Sequence, residues 1–254
     1  MIARERPIKV SAVILRHTDY GEADRLLWLF TLERGKLRAI AKGVRKMRSR
    51  KAGHLEPFTH ASLQLALGRD LWIVTQAETI EAFLPIRENL ELTAYAIYVL
   101  ELLDRFTYEE GEYVSLFQLL LDTLHRIQNE EDVFLAVRYY ELRILDLVGF
   151  RPQLFTCVEC NETIKAEDQF FSAEKGGVLC PRCGVNAPMS RPVSMESLKY
   201  LRHFQRSTFK EAKRAHLSSN VKREMENLLQ YYLTFLLERS LNSPEFLKIV
   251  RKPS

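Results

Sequence analysis

All four cysteines of the chain fall within 27 residues, as Cys157-Val158-Glu159-Cys160 and, after 19 intervening residues, Cys180-Pro181-Arg182-Cys183. Two residues between thiols let each pair form a tight knuckle that supplies two corners of a tetrahedron, and the stretch between the pairs is long enough to fold back as a hairpin. Gly176, Gly177 and Gly184 supply flexible positions for it. The pattern is that of a structural zinc site. A disulfide framework fits less well, because the cysteines are confined to one local unit and no secretory segment is apparent. A redox C-x-x-C lacks a thioredoxin-like setting. Catalytic zinc of the deaminase kind needs Pro before the second pair, where Leu179 stands; Cys157-Val158-Glu159 fits C-x-E, but Cys160 would remain as a fourth thiolate that closes the coordination sphere. One structural zinc on Cys157, Cys160, Cys180 and Cys183 is the expectation.

The rest of the chain has enough apolar material to fold around such an element. Of 254 residues, 46% are apolar and 28% charged, which excludes intrinsic disorder. The longest apolar runs, Leu26–Phe30 and Tyr95–Leu103, the latter broken by Glu101, fall well short of the ~18 residues of a membrane span. With Lys9 and Arg16 interrupting the N-terminal apolar stretch, a cytoplasmic location and no membrane partner are expected. The net charge of +4 is unevenly divided: residues 1–81 carry 15 Lys and Arg against 9 Asp and Glu, residues 82–150 carry 5 against 13, and residues 151–254 carry 17 against 11. Two basic segments flanking an acidic one confine any contact with a polyanion to part of the surface.

Periodicity changes along with charge. Ile8–Arg16, Asp24–Leu32, Leu37–Ala41, Ala61–Leu67 and Leu71–Ile80 read as strands, with turns at Thr18–Gly21, Glu33–Lys36 and Gly68–Asp70. Five short strands in so small a segment fit an OB-type or SH3-like barrel. From Leu90 the period becomes helical, with one helix beginning around Ala94, another around Val114 and a third around Val133; the third is preceded by Glu130, Glu131 and Asp132 and closed by Gly149. Ser194 is the expected N-cap of Met195–Arg206, and Ser219 or Asn220 that of a longer helix through Leu236. The architecture expected is multidomain α+β: a barrel at 1–81, a helical domain from 82–150 and 193–254, and a four-cysteine zinc-binding insertion at 151–192.

Between the third and fourth strands, Lys42–Lys51 contains six cations and no acid. Such a run is either a solvated loop or a phosphate-tracking one, and its place in a barrel of this kind favours the second. Arg34, Lys36, Arg38, Lys42, Arg45, Lys46, Arg48, Arg50 and Lys51 are the candidate DNA-binding residues. Trp28, Phe30, Phe58 and Trp72 are available either to stack on bases or to pack a core. Arg202, Arg206, Lys210, Lys213 and Arg214 form a second basic cluster, read as solvated helix surface, a second DNA contact or a seat for an acidic tail. No G-x4-G-K-[ST] or G-x-G-x-x-G loop is present, so no nucleotide-cleaving activity is indicated.

In combination, Asp24-Arg25-Leu26-Leu27, Leu29-Phe30-Thr31, Gly35-Lys36, Ala41-Lys42-Gly43, Ser49-Arg50, Leu55-Glu56-Pro57-Phe58 and Gly149-Phe150-Arg151-Pro152 ahead of the cysteines resemble the RecO family of bacterial recombination mediators. The resemblance covers essentially the whole chain. It implies an N-terminal OB-fold domain, a helical domain and a zinc-binding insertion, without catalysis. It also implies binding to single- and double-stranded DNA, annealing of complementary strands, and work with RecR, and in some pathways RecF, to load RecA onto DNA coated by the single-strand-binding protein SSB. Contact with the SSB C-terminal tail and a nucleoid-associated location belong to the same implication. A zinc-ribbon adaptor acting mainly through protein partners is the alternative.

Overall fold

The alternation of the first eighty residues closes into a barrel. In the computed structural model, which describes residues 6–109, 111, 113–130, 132–238, 241 and 243–250, β1 (Ile8–Tyr20), β2 (Asp24–Thr31), β3 (Gly35–Ala41), β4 (His60–Leu67) and β5 (Trp72–Glu81) are joined in the order β1-β2-β3-β5-β4. β1 pairs with both β2 and β4, and its register shifts between Ile14 and Arg16, the bend that lets one strand serve two neighbours. β3 and β5 run parallel at Ala39↔Trp72 and Ile40↔Ile73. This Greek-key closure of five strands is OB-like, which settles the choice between the two barrel types. Alternate residues such as Val10, Ala12, Ile14, Leu27, Leu29 and Leu63 fill the interior and are fully or almost fully buried.

β1 is longer than expected. Thr18, Asp19 and Tyr20 pair with Leu26, Arg25 and Asp24, so the turn falls at Gly21–Ala23, where Gly21 takes φ +59°. At the next turn β3 begins at Gly35, inside the stretch expected to be turn. Gly35 has φ +62°, and the carbonyl of Gly111 occupies the space a Cβ would need. Gly35→Ala should therefore destabilise the protein by about 2 kcal/mol, from left-handed strain and loss of this approach. Urea denaturation reads it, and an unchanged midpoint would show that the neighbouring loop yields instead.

The helices are α1 (Leu84–Glu88), α2 (Leu90–Phe106), α3 (Val114–Asn129), α4 (Val133–Leu147), α5 (Pro181–Gly184), α6 (Met195–Arg206), α7 (Phe209–Ala212), α8 (Ser219–Leu236) and α9 (Ser243–Val250). A small sheet of β6 (Gln169–Ser172), β7 (Gly177–Leu179) and β8 (Arg191–Val193) has the order β7-β6-β8. Two compact units result: the described residues through Asn129 with those from Ser243 onward, and the described residues from Glu130 to Leu241. They divide the expected helical domain after Asn129. α3 belongs with the barrel because Phe30, pointing out of β2, stacks on Phe117 and on the preceding Tyr113 at 6.2 and 5.9 Å between ring centroids, and α2 does so through Asp104, paired with Lys36 of β3 at 2.6 Å.

Several helix ends are capped as the sequence indicates. Asp132 accepts from the Leu135 N–H and Gly149 follows α4 at φ +84°, while Glu131 lies outside the described residues. Ser194 caps α6 by accepting from the Ser197 N–H. The cap of α8 is Ser218, one residue before the expected Ser219: its backbone is extended and its side chain accepts from the Val221 N–H, whereas Ser219 and Asn220 are already helical. In this second unit the Glu224 carboxylate accepts from the Ser194 N–H at 2.6 Å and from the hydroxyls of Ser194 and Ser197 at 2.6 and 2.7 Å, tying α8 to the start of α6. Among the described residues no helix is long and apolar enough to cross a membrane.

Candidate functional site

The two cysteine pairs sit on two short turns. Cys157 donates its N–H to the Glu162 carbonyl, and Asn161 returns to the Cys157 carbonyl with a positive φ of 61°. Cys180 precedes α5, and its carbonyl accepts from Cys183 and Gly184 at 3.0 and 2.8 Å. A Cβ on Gly184 would lie 2.5 Å from the Phe170 ring, so glycine is what lets this turn lie against β6. The four sulfurs lie within 4.8 Å of one another, with Cys160 and Cys180 3.8 Å apart. Tetrahedral coordination with metal–sulfur bonds of about 2.3 Å requires sulfurs roughly 3.8 Å apart. The donor set thus fits a divalent ion of tetrahedral preference.

The surroundings favour the thiolate of Cys157. The Cys180 N–H points at the Cys157 sulfur at 3.3 Å. Burial works to raise the Cys157 thiol, but hydrogen bonds from the backbones of Cys160, Cys180 and Glu159 and from the Cys160 side chain bring it down to about 6. Cys183 is pushed up to about 12, first by its hydrogen bond with Cys180 and then by burial. A metal ion held by the four sulfurs would remove this unevenness, because a coordinating thiol is deprotonated outright. Four thiolates on a divalent ion leave net negative charge, and Lys175, paired with Glu159, and Arg182, paired with Glu162 at 2.9 Å, are cations at its edge.

The basic loop is anchored at its start. The Gly43 N–H donates to the Asp24 carboxylate at 2.7 Å and the Arg45 N–H to the Ala23 carbonyl at 2.9 Å, while Val44 is buried in the barrel. These bonds hold the loop against the β1–β2 turn. The Arg45 guanidinium bonds Asp19 at 3.2 Å. Asp19 also pairs with Arg25, which bonds Glu56 at 2.8 Å. Burial alone would raise the Glu56 carboxyl, but hydrogen bonds and charge from Arg25 and His17 hold it below its usual range. The triplet His54-Leu55-Glu56 has the H-x-E form by which a zinc deaminase supplies a metal ligand and a proton-transfer carboxylate, yet His54 is bonded to Thr79 at 2.7 Å and Glu56 is committed to Arg25.

The nine candidate cations separate into two sets. Lys36 is drawn inward, 2.6 Å from the Asp104 carboxylate and 2.7 Å from its carbonyl. Lys51 donates to the Val74 carbonyl at 2.9 Å, and burial lowers its pKa. Arg38 remains about half exposed and pairs with Glu109 at 2.8 Å. Arg34, Lys42, Lys46, Arg48 and Arg50 are exposed and form no ion pair among the described residues. Of the four aromatics, Phe30 and Phe58 are buried and Trp72 packs on the barrel core. Trp28 alone stays on the outer face, with Arg16 stacked 3.6 Å above its ring. Arg16 is a participant that charge counting did not single out, since only strand register brings it to Trp28.

In the second basic cluster Arg202 donates to the Leu154 carbonyl at 2.7 Å, and both Arg202 and Arg206 lie over the Phe155 ring, at 5.3 and 3.6 Å. Lys213 pairs with Glu130 at 3.1 Å. Lys210 and Arg214 are exposed, and Arg214 shares an open groove of about 520 Å³ with Lys199, Tyr200 and His203.

Comparison with known proteins matches residues 6–83 to the family described as Recombination protein O N terminal and residues 87–245 to Recombination protein O C terminal. The chain belongs to the RecO family. Proteins named DNA repair protein RecO from Roseiflexus sp. (strain RS-1) and Dehalococcoides mccartyi (strain ATCC BAA-2266 / KCTC 15142 / 195) are 40% and 36% identical to it. The first match covers 98% of this chain and 88% of the relative, the second 94% of each. The N-terminal RecO family region ends at residue 83, just before α1, and the C-terminal region begins at residue 87 within it, where strand periodicity has given way to helix.

Proposed function

We propose that this RecO family protein is a non-catalytic DNA-repair and recombination mediator that binds single- and double-stranded DNA and anneals complementary strands. The observation that carries this reading is the loop containing Lys42, Lys46, Arg48 and Arg50, whose cations project unpaired among the described residues while its backbone is bolted to the β1–β2 turn. The names of the relatives support it. Annealing requires that the repulsion of two phosphate chains be screened, and exposed cations on a loop whose start is already anchored supply that with less ordering at the moment of binding. Work with RecR, and with RecF in some pathways, to load RecA onto SSB-coated strands belongs to the same reading. The groove that holds Lys199 and Arg214 offers two cations to the acidic SSB C-terminal tail, the Glu211 carboxylate in its lining being engaged by the N–H and hydroxyl of Thr208. Cys157, Cys160, Cys180 and Cys183 would hold one zinc ion, whose contribution is structural since no coordination position is left open.

The test is strand annealing on SSB-coated oligonucleotides, with salt-dependent binding to bare ones. Replacing Lys42, Lys46, Arg48 and Arg50 together by Ala should reduce affinity about tenfold or more at low salt. It should also flatten the log–log salt slope on single strands by up to about 3, at ~0.7 per phosphate contact. A protein that acted only as an adaptor for other proteins would show neither effect.

A further inference from the structure

On the outer face of the barrel, Arg16, Trp28 and Arg38 stand in one row across β1, β2 and β3, as register partners. Arg16 is exposed with its guanidinium 3.6 Å from the centre of the Trp28 ring, and Arg38, paired with Glu109 at 2.8 Å, is the register partner of Trp28 on the other strand. One pleat further along, Leu26 and Ile40 form the next outward pair, both half-buried. An indole with one guanidinium on its face and two aliphatic side chains on the next pleat is a flat apolar surface beside a cation. The anchored loop continues from the same end of β3: Lys42 lies four positions beyond Arg38, about 13 Å along the strand direction.

We propose that Trp28 is a nucleobase-stacking platform and that Arg16 is its displaceable cover. In the free protein the guanidinium occupies the ring face. When a single strand lies along the loop, an unpaired base takes that face, and Arg16 turns to a backbone phosphate, where a charge-assisted hydrogen bond replaces the cation–π contact. A base in a duplex has both faces occupied by its stacked neighbours. The platform therefore favours single strands, whereas the loop, which reads phosphate, accepts either form. The inference rests on the DNA-binding reading of the loop and adds a residue that discriminates between the two forms.

The experiment measures affinity for an oligothymidylate and for a duplex of equal length by fluorescence anisotropy, using the full chain. Trp28→Ala should weaken single-strand binding about tenfold while leaving duplex binding within about twofold and the salt slope unchanged, since no charge is lost. Trp28→Phe should restore most of the loss. Arg16→Ala should reduce the single-strand salt slope by about 0.7. In Trp72→Phe, where Trp28 is the remaining indole, adding oligothymidylate should quench emission, and this readout stands even if Trp28→Ala folds poorly. Equal weakening on both DNAs, no weakening on either, or no quenching overturns the platform. If the fourfold loop variant weakens binding while Trp28→Ala does not, only the platform fails. If the loop variant binds like the parent protein, the DNA-binding reading fails with it.

Discussion

Replacing Cys157 by Ser is expected to abolish cooperative folding of the second unit. The side chain is fully buried, and its sulfur accepts the Cys180 N–H that links the two knuckles. The sheet beside it is slight, with strands of four and three residues in β6 and β7, so the cysteine turns have little else to hold them. Binding of structural zinc to four thiolates is worth about 10–16 kcal/mol near neutral pH. The whole stability of an ordinary domain is only about 5–15 kcal/mol. Losing one ligand, or stripping the metal with a chelator, should thus remove a large part of what holds residues 151–192 in place. Metal analysis should find one zinc per chain, released as the solution is acidified because protons compete for the sulfurs. Thermal melting followed by circular dichroism should lose the part of the cooperative transition that belongs to the second unit, in Cys157→Ser and in chelated protein alike, while the first unit still melts. A chelated protein that melts as before would show the cysteines to be packing residues only.

That site was legible because its determinants are local: two residues between thiols specify a knuckle whatever surrounds it. The same holds for Ser194 as a cap and Gly149 as a terminator, each acting within a few residues of itself. What the sequence left open depends on contacts distant along the chain. Neither the basic run nor the strand before it gave a sign that Lys51 reaches the Val74 carbonyl or that Lys36 reaches Asp104, because a long aliphatic stem lets a lysine on a strand or loop find a partner far along the chain. The row of Arg16, Trp28 and Arg38 exists only once β1, β2 and β3 are in register. One signal for the grouping of helices with the barrel was present. β2 reads Leu26-Leu27-Trp28-Leu29-Phe30 without polar alternation, the mark of a strand covered on both faces over part of its length, and the cover at Phe30 comes from Tyr113 and Phe117.

Removing either partner of the buried Arg138–Glu141 pair should cost about 3–5 kcal/mol, the second large effect expected of this chain. In sequence the two are an ordinary i, i+3 pair on a helix, the kind that usually faces water. In the structure α4 packs against α6, α7 and α8, leaving Arg138 2% exposed and Glu141 fully buried, with their charged atoms 3.0 Å apart. Glu226 of α8 lies at 4.0 Å, and the Arg138 guanidinium stands 5.1 Å from the Phe134 ring. Neighbouring Tyr140 is fully buried, and its hydroxyl is pushed far above its usual pKa by burial first and by the charge of Glu141 second. Arg138→Ala takes from the buried Glu141 carboxylate the guanidinium 3.0 Å away, and Glu141→Ala takes from Arg138 its nearer carboxylate, with Glu226 at 4.0 Å the more distant one. Replacing both at once, Arg138→Met with Glu141→Leu, removes the two desolvation costs together and should recover most of the loss. Urea denaturation of the two single variants and the double variant closes the cycle. A double variant as unstable as the sum of the singles would show that the pair acts through shape rather than charge, and single variants costing under about 1 kcal/mol would show that water reaches this part of α4.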